Sequence, residues 1–209
     1  MLAVIRFRIG GSLRFLSHAE TIRVFQRACS RAGVQIAYSQ GFNPHQKMSL
    51  VLPRSVGVES DDEILCLWLK EGQTEIDTES LKGELPNGIE IVSAKTSQAK
   101  NVPEPISARY VLNVQAQKIN DEARKHITDM LANDKVIVNR RTGEDSRTRP
   151  VDVRPFIESI KAEQSQVAVD CKISNAGTIR VDEILGLLQL KTADLTGPVR
   201  RTNVQWKDI

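Results

Sequence analysis

Residues 4–9 alternate, with Ile5, Phe7 and Ile9 on one side and Val4, Arg6 and Arg8 on the other. That period of two marks a strand with one buried face. Gly10-Gly11-Ser12 interrupts it. Ser17-x-x-Glu20 then forms a capping box, in which a hydroxyl and a carboxylate reciprocally satisfy free amides at a helix start. The spacing predicts a helix to about Ala32, closed by Gly33. Its Ile22, Phe25 and Cys29 make an apolar stripe, while Arg23, Arg27 and Arg31 recur every four residues on a different face. A half-apolar strand leading directly into a half-apolar helix constrains the chain strongly, because the helix must return over the strand's apolar side.

Residues 34–38, 48–52 and 63–69 read as further strands, with 39–47 as an intervening loop marked by Gly41 and Asn43-Pro44. Asp77 opens a short helix over 78–85 that Pro86-Asn87-Gly88 ends, and 89–94 is a last strand. With the segment after Tyr38 taken as a long interrupted hairpin, the order is that of a split βαβ unit. The second half repeats it. Residues 109–116 form a strand. A helix capped by Asn120 or Asp121 follows, with Ala123, Ile127, Met130 and Leu131 buried. Then come a strand at 136–138, a polar arginine-rich loop at 140–150, a helical turn within 152–160, an alternating strand at 167–173, an apolar helix at 181–190 and a strand at 199–206. The expected fold is α+β, two tandem ferredoxin-like units over residues 1–97 and 108–209. The linker is 98–107, where Pro103 and Pro105 stand and no apolar period is visible. Trp68 and Trp206 lie in alternating strands and read as core or interface.

Of the 209 residues, 40% are hydrophobic and 26% charged, which excludes wholesale disorder. No apolar run approaches the roughly 18–20 residues of a membrane span. Arg6 and Arg8 within the first apolar stretch argue against a signal peptide. A cytoplasmic protein with no membrane partner is expected. Three cysteines, Cys29, Cys66 and Cys171, lie far apart in apolar contexts, so a disulfide framework or a four-cysteine metal site within the chain is excluded. They read as buried thiols. The net charge of +3 is unevenly spread: residues 1–60 hold eight basic and two acidic side chains. Residues 61–100 hold four basic and nine acidic ones. An anionic partner would be drawn to the first sixty residues.

Two segments carry polar, aromatic and basic groups that a fold does not require. One is Leu13-Arg14-Phe15-Leu16-Ser17-His18. The other is Tyr38-Ser39-Gln40-Gly41-Phe42-Asn43-Pro44-His45, followed by Lys47. Tyr38 and Phe42 offer faces on which bases stack, and the Gln40 and Asn43 amides can read base edges. Arg14, Arg27, Arg31 and Lys47 are suited to phosphates. Ser17 and His18 begin the first helix. His18 and His45 could together act as general acid and base on RNA or a nucleotide, which makes an enzyme the alternative reading. Metal binding by that pair would need Glu20, which the capping box already uses. Arg140, Arg141, Arg147 and Arg149 form a second basic cluster, diluted by Glu144 and Asp145, that reads equally as a phosphate-contacting loop or a plain surface loop. Walker A, dinucleotide-binding, nucleophile-elbow and zinc-helix motifs are absent.

Residues 13–18, Arg31-Ala32-Gly33, 38–45 and Gly57-Val58-Glu59-Ser60 together resemble the bacterial radical-SAM-linked protein family. That family is a domain of uncharacterised function found alone or fused to the C-terminus of radical SAM proteins with a cobalamin-binding-type domain. Asp152-Val153-Arg154-Pro155 resembles its second half. The chain departs from the usual pattern in carrying Ala19-Glu20 after His18, and in the neighbours of Lys47. The resemblance implies a radical SAM partner, which would carry the S-adenosylmethionine and the iron–sulfur cluster. The chain itself lacks the close cysteine triplet such a cluster needs, and no cofactor is expected in it. The resemblance also implies a connection to tRNA or rRNA. The expectation is a non-catalytic accessory or substrate-binding module of a modification system. An enzyme using His18 and His45, and an adaptor that docks the partner protein, are the alternatives.

Overall fold

The computed structural model describes residues 1–98, 101–141 and 148–207. The fold is mixed α+β, and the chain forms two compact units. The first spans Met1–Pro105 and takes up the chain again at Trp206; the second is Ile106–Gln205.

In the first unit, β1 (Leu2–Ile9) leads through a 3-10 turn at Gly11–Phe15 into α1 (His18–Arg31). The elements β2 (Met48–Leu50), β3 (Glu59–Trp68), α2 (Thr78–Gly83) and β4 (Ile89–Ser97) follow. β1 is central, antiparallel to β3 on one side and β4 on the other, and β2 pairs with the far edge of β3. The alternation in β1 is realised as expected. Ile5, Phe7 and Ile9 are buried against α1, whose Phe25, Ala28 and Cys29 are fully enclosed, and Phe7 meets Phe25 edge to face with centroids 4.7 Å apart. Ser17 and Glu20 close the capping box, and Gly33, at φ +71°, ends the helix.

The opposite sheet face is also packed. Leu2, Ile64 and Cys66 form a second cluster there with Val4, Trp68 and Trp206. Arg6 is absorbed into it through two hydrogen bonds to the buried Asp62, at 2.6 and 2.7 Å, and the Trp206 indole donates to the same carboxylate at 3.2 Å. The strand expected at 34–38 is reduced to isolated bridges, Ile36 with Leu69 and Tyr38 with Gln46.

In the second unit, β5 (Glu104–Asn113) precedes α3 (Asp121–Ala132), β6 (Ile137–Arg141), β7 (Thr148–Asp152), β8 (Ile157–Glu163), β9 (Gln166–Lys172), α4 (Val181–Leu187) and β10 (Arg200–Lys207). The strand order is β10-β5-β9-β8, with β6 and β7 as a separate two-stranded ribbon. Two expectations are corrected. Glu104–Ser107 of the expected linker are strand, because Ser107 pairs with Lys172 and Ile173 N donates to Ile106 O. The arginine-rich segment is a ribbon rather than a loop at its described ends, with Arg140 opposite Arg149 and Arg141 opposite Thr148. Arg147, Glu144 and Asp145 lie outside the described residues. The turn within 152–160 is a 3-10 turn, Arg154–Phe156. Asp152 Oδ1 accepts from Val136 N and Arg154 N, and the Arg154 guanidinium caps the end of α3 at Leu131 O, so this motif works as scaffold. Among the described residues, no helix is long and apolar enough to cross a membrane.

Candidate nucleic-acid interface

Residues 37–47 form a loop fastened to the end of β3. Ala37 N donates to Trp68 O at 2.7 Å, Lys47 N to Ala37 O at 2.8 Å and Trp68 N to Lys47 O at 3.1 Å. A second closure lies further out. Ser39 N donates to His45 O, His45 N donates to Ser39 Oγ at 3.1 Å, and His45 Nδ1 is 2.9 Å from the same oxygen. Either group can donate in that last contact, depending on the imidazole tautomer. Gly41, at φ +136°, turns the chain at the tip, a conformation a side chain rarely permits.

What this brace holds out is unusual. Phe42 is 106% exposed and Tyr38 59%. A phenylalanine in a core contributes about 1.5–3 kcal/mol, so a ring held entirely in water has no folding role in this chain. Gln40 and Asn43 are exposed beside the rings, and among the described residues neither amide side chain has an intramolecular partner. Lys47 Nζ sits 5.6 Å from the centre of the Trp68 ring, which positions a cation at the foot of the loop.

The other segment lies elsewhere. Gly10 N donates to Gly88 O at 2.9 Å, Gly11 N to a Glu59 carboxylate oxygen at 2.9 Å, and Gly57 N to Arg14 O at 2.8 Å. In the β1–β3 register, Ile9 faces Ser60 and Leu2 faces Trp68. Residues 11–18 therefore sit at the Ser60 end of the ladder and residues 37–47 at the Trp68 end. At about 3.3 Å per residue, the strand between them spans on the order of 25 Å. Arg14, Ser17 and His18 are thus separated from Tyr38, Gln40, Phe42, Asn43, His45 and Lys47. His18 borders a crevice of about 10 Å³, shared with Thr21, Arg54 and Glu63, and His45 closes the distant loop. The two imidazoles do not meet at one bond, so the paired acid–base reading lacks its geometry.

Several expected phosphate ligands are already engaged. Arg31 pairs with Glu84, and its Nη2 also donates to Glu84 O at 2.8 Å, tying α1 to the end of α2. Ser17 serves the capping box, and its hydrogen bonds, side chain first, hold the Glu20 carboxyl below its ordinary range. Arg140 is buried against Glu183. Arg27 is exposed on the outer face of α1, free of any ion pair among the described residues. Arg14 lies 4.4 Å over the Phe15 ring and donates to Gly11 O.

Sequence reasoning missed Arg54. Its guanidinium donates to Arg14 O at 2.7 Å, Val58 O at 2.6 Å, Leu16 O at 3.1 Å and Ser55 O at 3.3 Å, clamping two loops together. Backbone carbonyls carry no residue identity, so no side-chain pattern announces such a clamp. Among the described residues, no cluster of three or more histidine, cysteine or acidic side chains is arranged to hold a metal.

A family model described as an uncharacterized protein conserved in bacteria (DUF2344) matches residues 3–182. No curated protein matches the chain. Among solved structures, one titled as the crystal structure of a Cbf5-Nop10-Gar1 complex aligns with a TM-score of 0.47 at 12% identity, covering 97% of this chain and 48% of the other. The chain thus spans about half the length of that structure's chain.

Proposed function

The chain belongs to this uncharacterised bacterial family, DUF2344, and on that premise we propose that it is an RNA-binding accessory module without catalysis of its own. The observation that carries the reading is the braced loop at 37–47, which holds Tyr38 and Phe42 in water together with the exposed amides of Gln40 and Asn43. A single strand can lay bases on the two rings, while Lys47 and Arg27 attract its phosphates. The resemblance of residues 13–18 and 38–45 to the radical-SAM-linked family supports a partner that supplies S-adenosylmethionine chemistry, with tRNA or rRNA in the cytoplasm as the substrate. The strand orders support reading each unit as a ferredoxin-like split βαβ fold, since in both the last strand lies beside the first and the first beside the third main strand.

The test is fluorescence anisotropy with labelled mixed-sequence single-stranded RNA. Stacking contributes about 1–3 kcal/mol per base, so Tyr38→Ala and Phe42→Ala should each weaken binding by about fivefold to a hundredfold. Both side chains are exposed, so folding should not change. Undiminished affinity in the double variant would remove the loop from RNA recognition.

A further inference from the structure

At the Ser60 end of the β1–β3 ladder the chain builds a second rigid surface that the RNA reading does not use. Arg54 locks the 3-10 turn to the loop at 54–58 through four carbonyls. Gly57, at φ +88°, lies beneath the Phe15 ring, where a Cβ would come within 3.9 Å of Cε1. Gly88, at φ +104°, is pressed so closely on Gly10 that a Cβ would stand 2.9 Å from its carbonyl oxygen. All this ordering leaves two apolar side chains in water, Phe15 at 58% and Val56 at 60% exposure. Beside them the Arg14 guanidinium is fixed by its bond to Gly11 O and makes no ion pair among the described residues. The nearby Glu59 carboxylate is turned to Gly11 N.

We infer that this surface docks a protein segment in which an aliphatic or aromatic side chain stands next to a carboxylate. The apolar group covers Phe15 and Val56, and the carboxylate pairs with Arg14 in the two-pronged geometry a guanidinium favours. The chemistry selects protein over nucleic acid. Arg14 already occupies one face of the Phe15 ring, and Val56 offers no π-surface to a base. Buried aromatic and arginine anchors are where interface energy concentrates. Because the loop at 37–47 is at the other end of the ladder, both surfaces can be occupied at once.

The experiment pans the whole chain against a displayed library of short random peptides. Enriched peptides should carry Asp or Glu within two residues of Leu, Ile or Phe. Their binding should fall about thirtyfold or more in Phe15→Ser, fall in Val56→Ser, and be lost in Arg14→Glu, while Tyr38→Ala leaves it unchanged. Circular dichroism would show that the variants are folded. Failure to enrich such a motif, its retention by Phe15→Ser, or its displacement by single-stranded RNA would overturn the inference. The first two results would not bear on RNA binding at Tyr38 and Phe42, which is read separately, whereas displacement by RNA would extend the RNA surface to this end of the ladder.

Discussion

Arg140 and Glu183 share two hydrogen bonds, Nε to Oε1 at 2.7 Å and Nη2 to Oε2 at 2.8 Å, with only 10% and 7% of the side chains exposed. Arg140 Nη2 also reaches Thr178 O, and the same carboxylate accepts from Arg180 N, so the β6–β7 ribbon is tied to the start of α4. Removing one partner strands a buried charge. Glu183→Gln should cost about 3–5 kcal/mol in urea unfolding, and a Glu183→Leu, Arg140→Met double variant should regain most of it. Burial alone would raise the Glu183 carboxyl, but the hydrogen bonds from Arg140 and Arg180 N, with their charges, hold it below its ordinary value of 4.5. A carboxyl with a lower pKa in the folded state stabilises it fully above that ordinary value and loses the contribution as pH falls through the folded value. Stability of the native chain should therefore decline below about pH 4.5, and the decline should be shallower in Glu183→Gln.

The three thiols should be inert in the native protein. Burial pushes Cys29 up to about 12 and Cys66 to about 11, and burial with the charges of Asp170 and Glu158 pushes Cys171 to about 12. Nucleophilic reactivity follows the thiolate. A chromogenic disulfide reagent at mildly alkaline pH should titrate none of them until denaturant is added, and then all three. Rapid labelling of any one without denaturant would contradict the packing described.

Arg54→Ala should free both loops at the Ser60 end at once, since hydrogen bonds to a charged group are worth about 1.5–3 kcal/mol and several would go together. Arg54→Lys should restore only part of the stability, because a single ammonium can take the place of Nη1 but leaves the Nη2 bond to Leu16 O unmade. Hydrogen exchange should show Gly57 N and Leu16 N losing protection in step. Their loss one at a time would argue against a single clamp.

The arginines of α1 should separate by role. In RNA titrations across salt, Lys47→Ala and Arg27→Ala should each reduce the log–log slope by about 0.7, the value for one phosphate on a single strand. Arg31→Ala should leave the slope nearly unchanged and loosen α1 from α2 instead, because its partner is Glu84. An equal slope change for Arg31 would mean that the ion pair opens to bind RNA.

These roles show where the sequence was legible. β1 and α1 could be read because their determinants are local: a period of two across Ile5, Phe7 and Ile9, a capping box at Ser17 and Glu20, and a left-handed glycine at Gly33. Of the β6–β7 ribbon only the strand at 136–138 is legible, and the arginine-rich remainder reads as loop, because its residues are exposed or half-exposed throughout β6 and leave no buried face to read. The partner of Arg31 lies fifty-three positions away and that of Arg140 forty-three, and nothing local announces either. The exposed aromatics of residues 38–42 were legible as groups the core does not need. That they stand apart from Arg14 and His18 depended on strand register, which assembly of the sheet decides.

The β1–β3 ladder sets a fixed spacing between the two surfaces, and it also uncouples them. The segments carrying Arg14 and Tyr38 lie at its opposite ends, so the energetic effects of substitutions at one should simply add to those at the other. Each surface is then free to change its specificity without a compensating change in the other. A chain built this way can alter either of the two proposed surfaces while keeping the other intact.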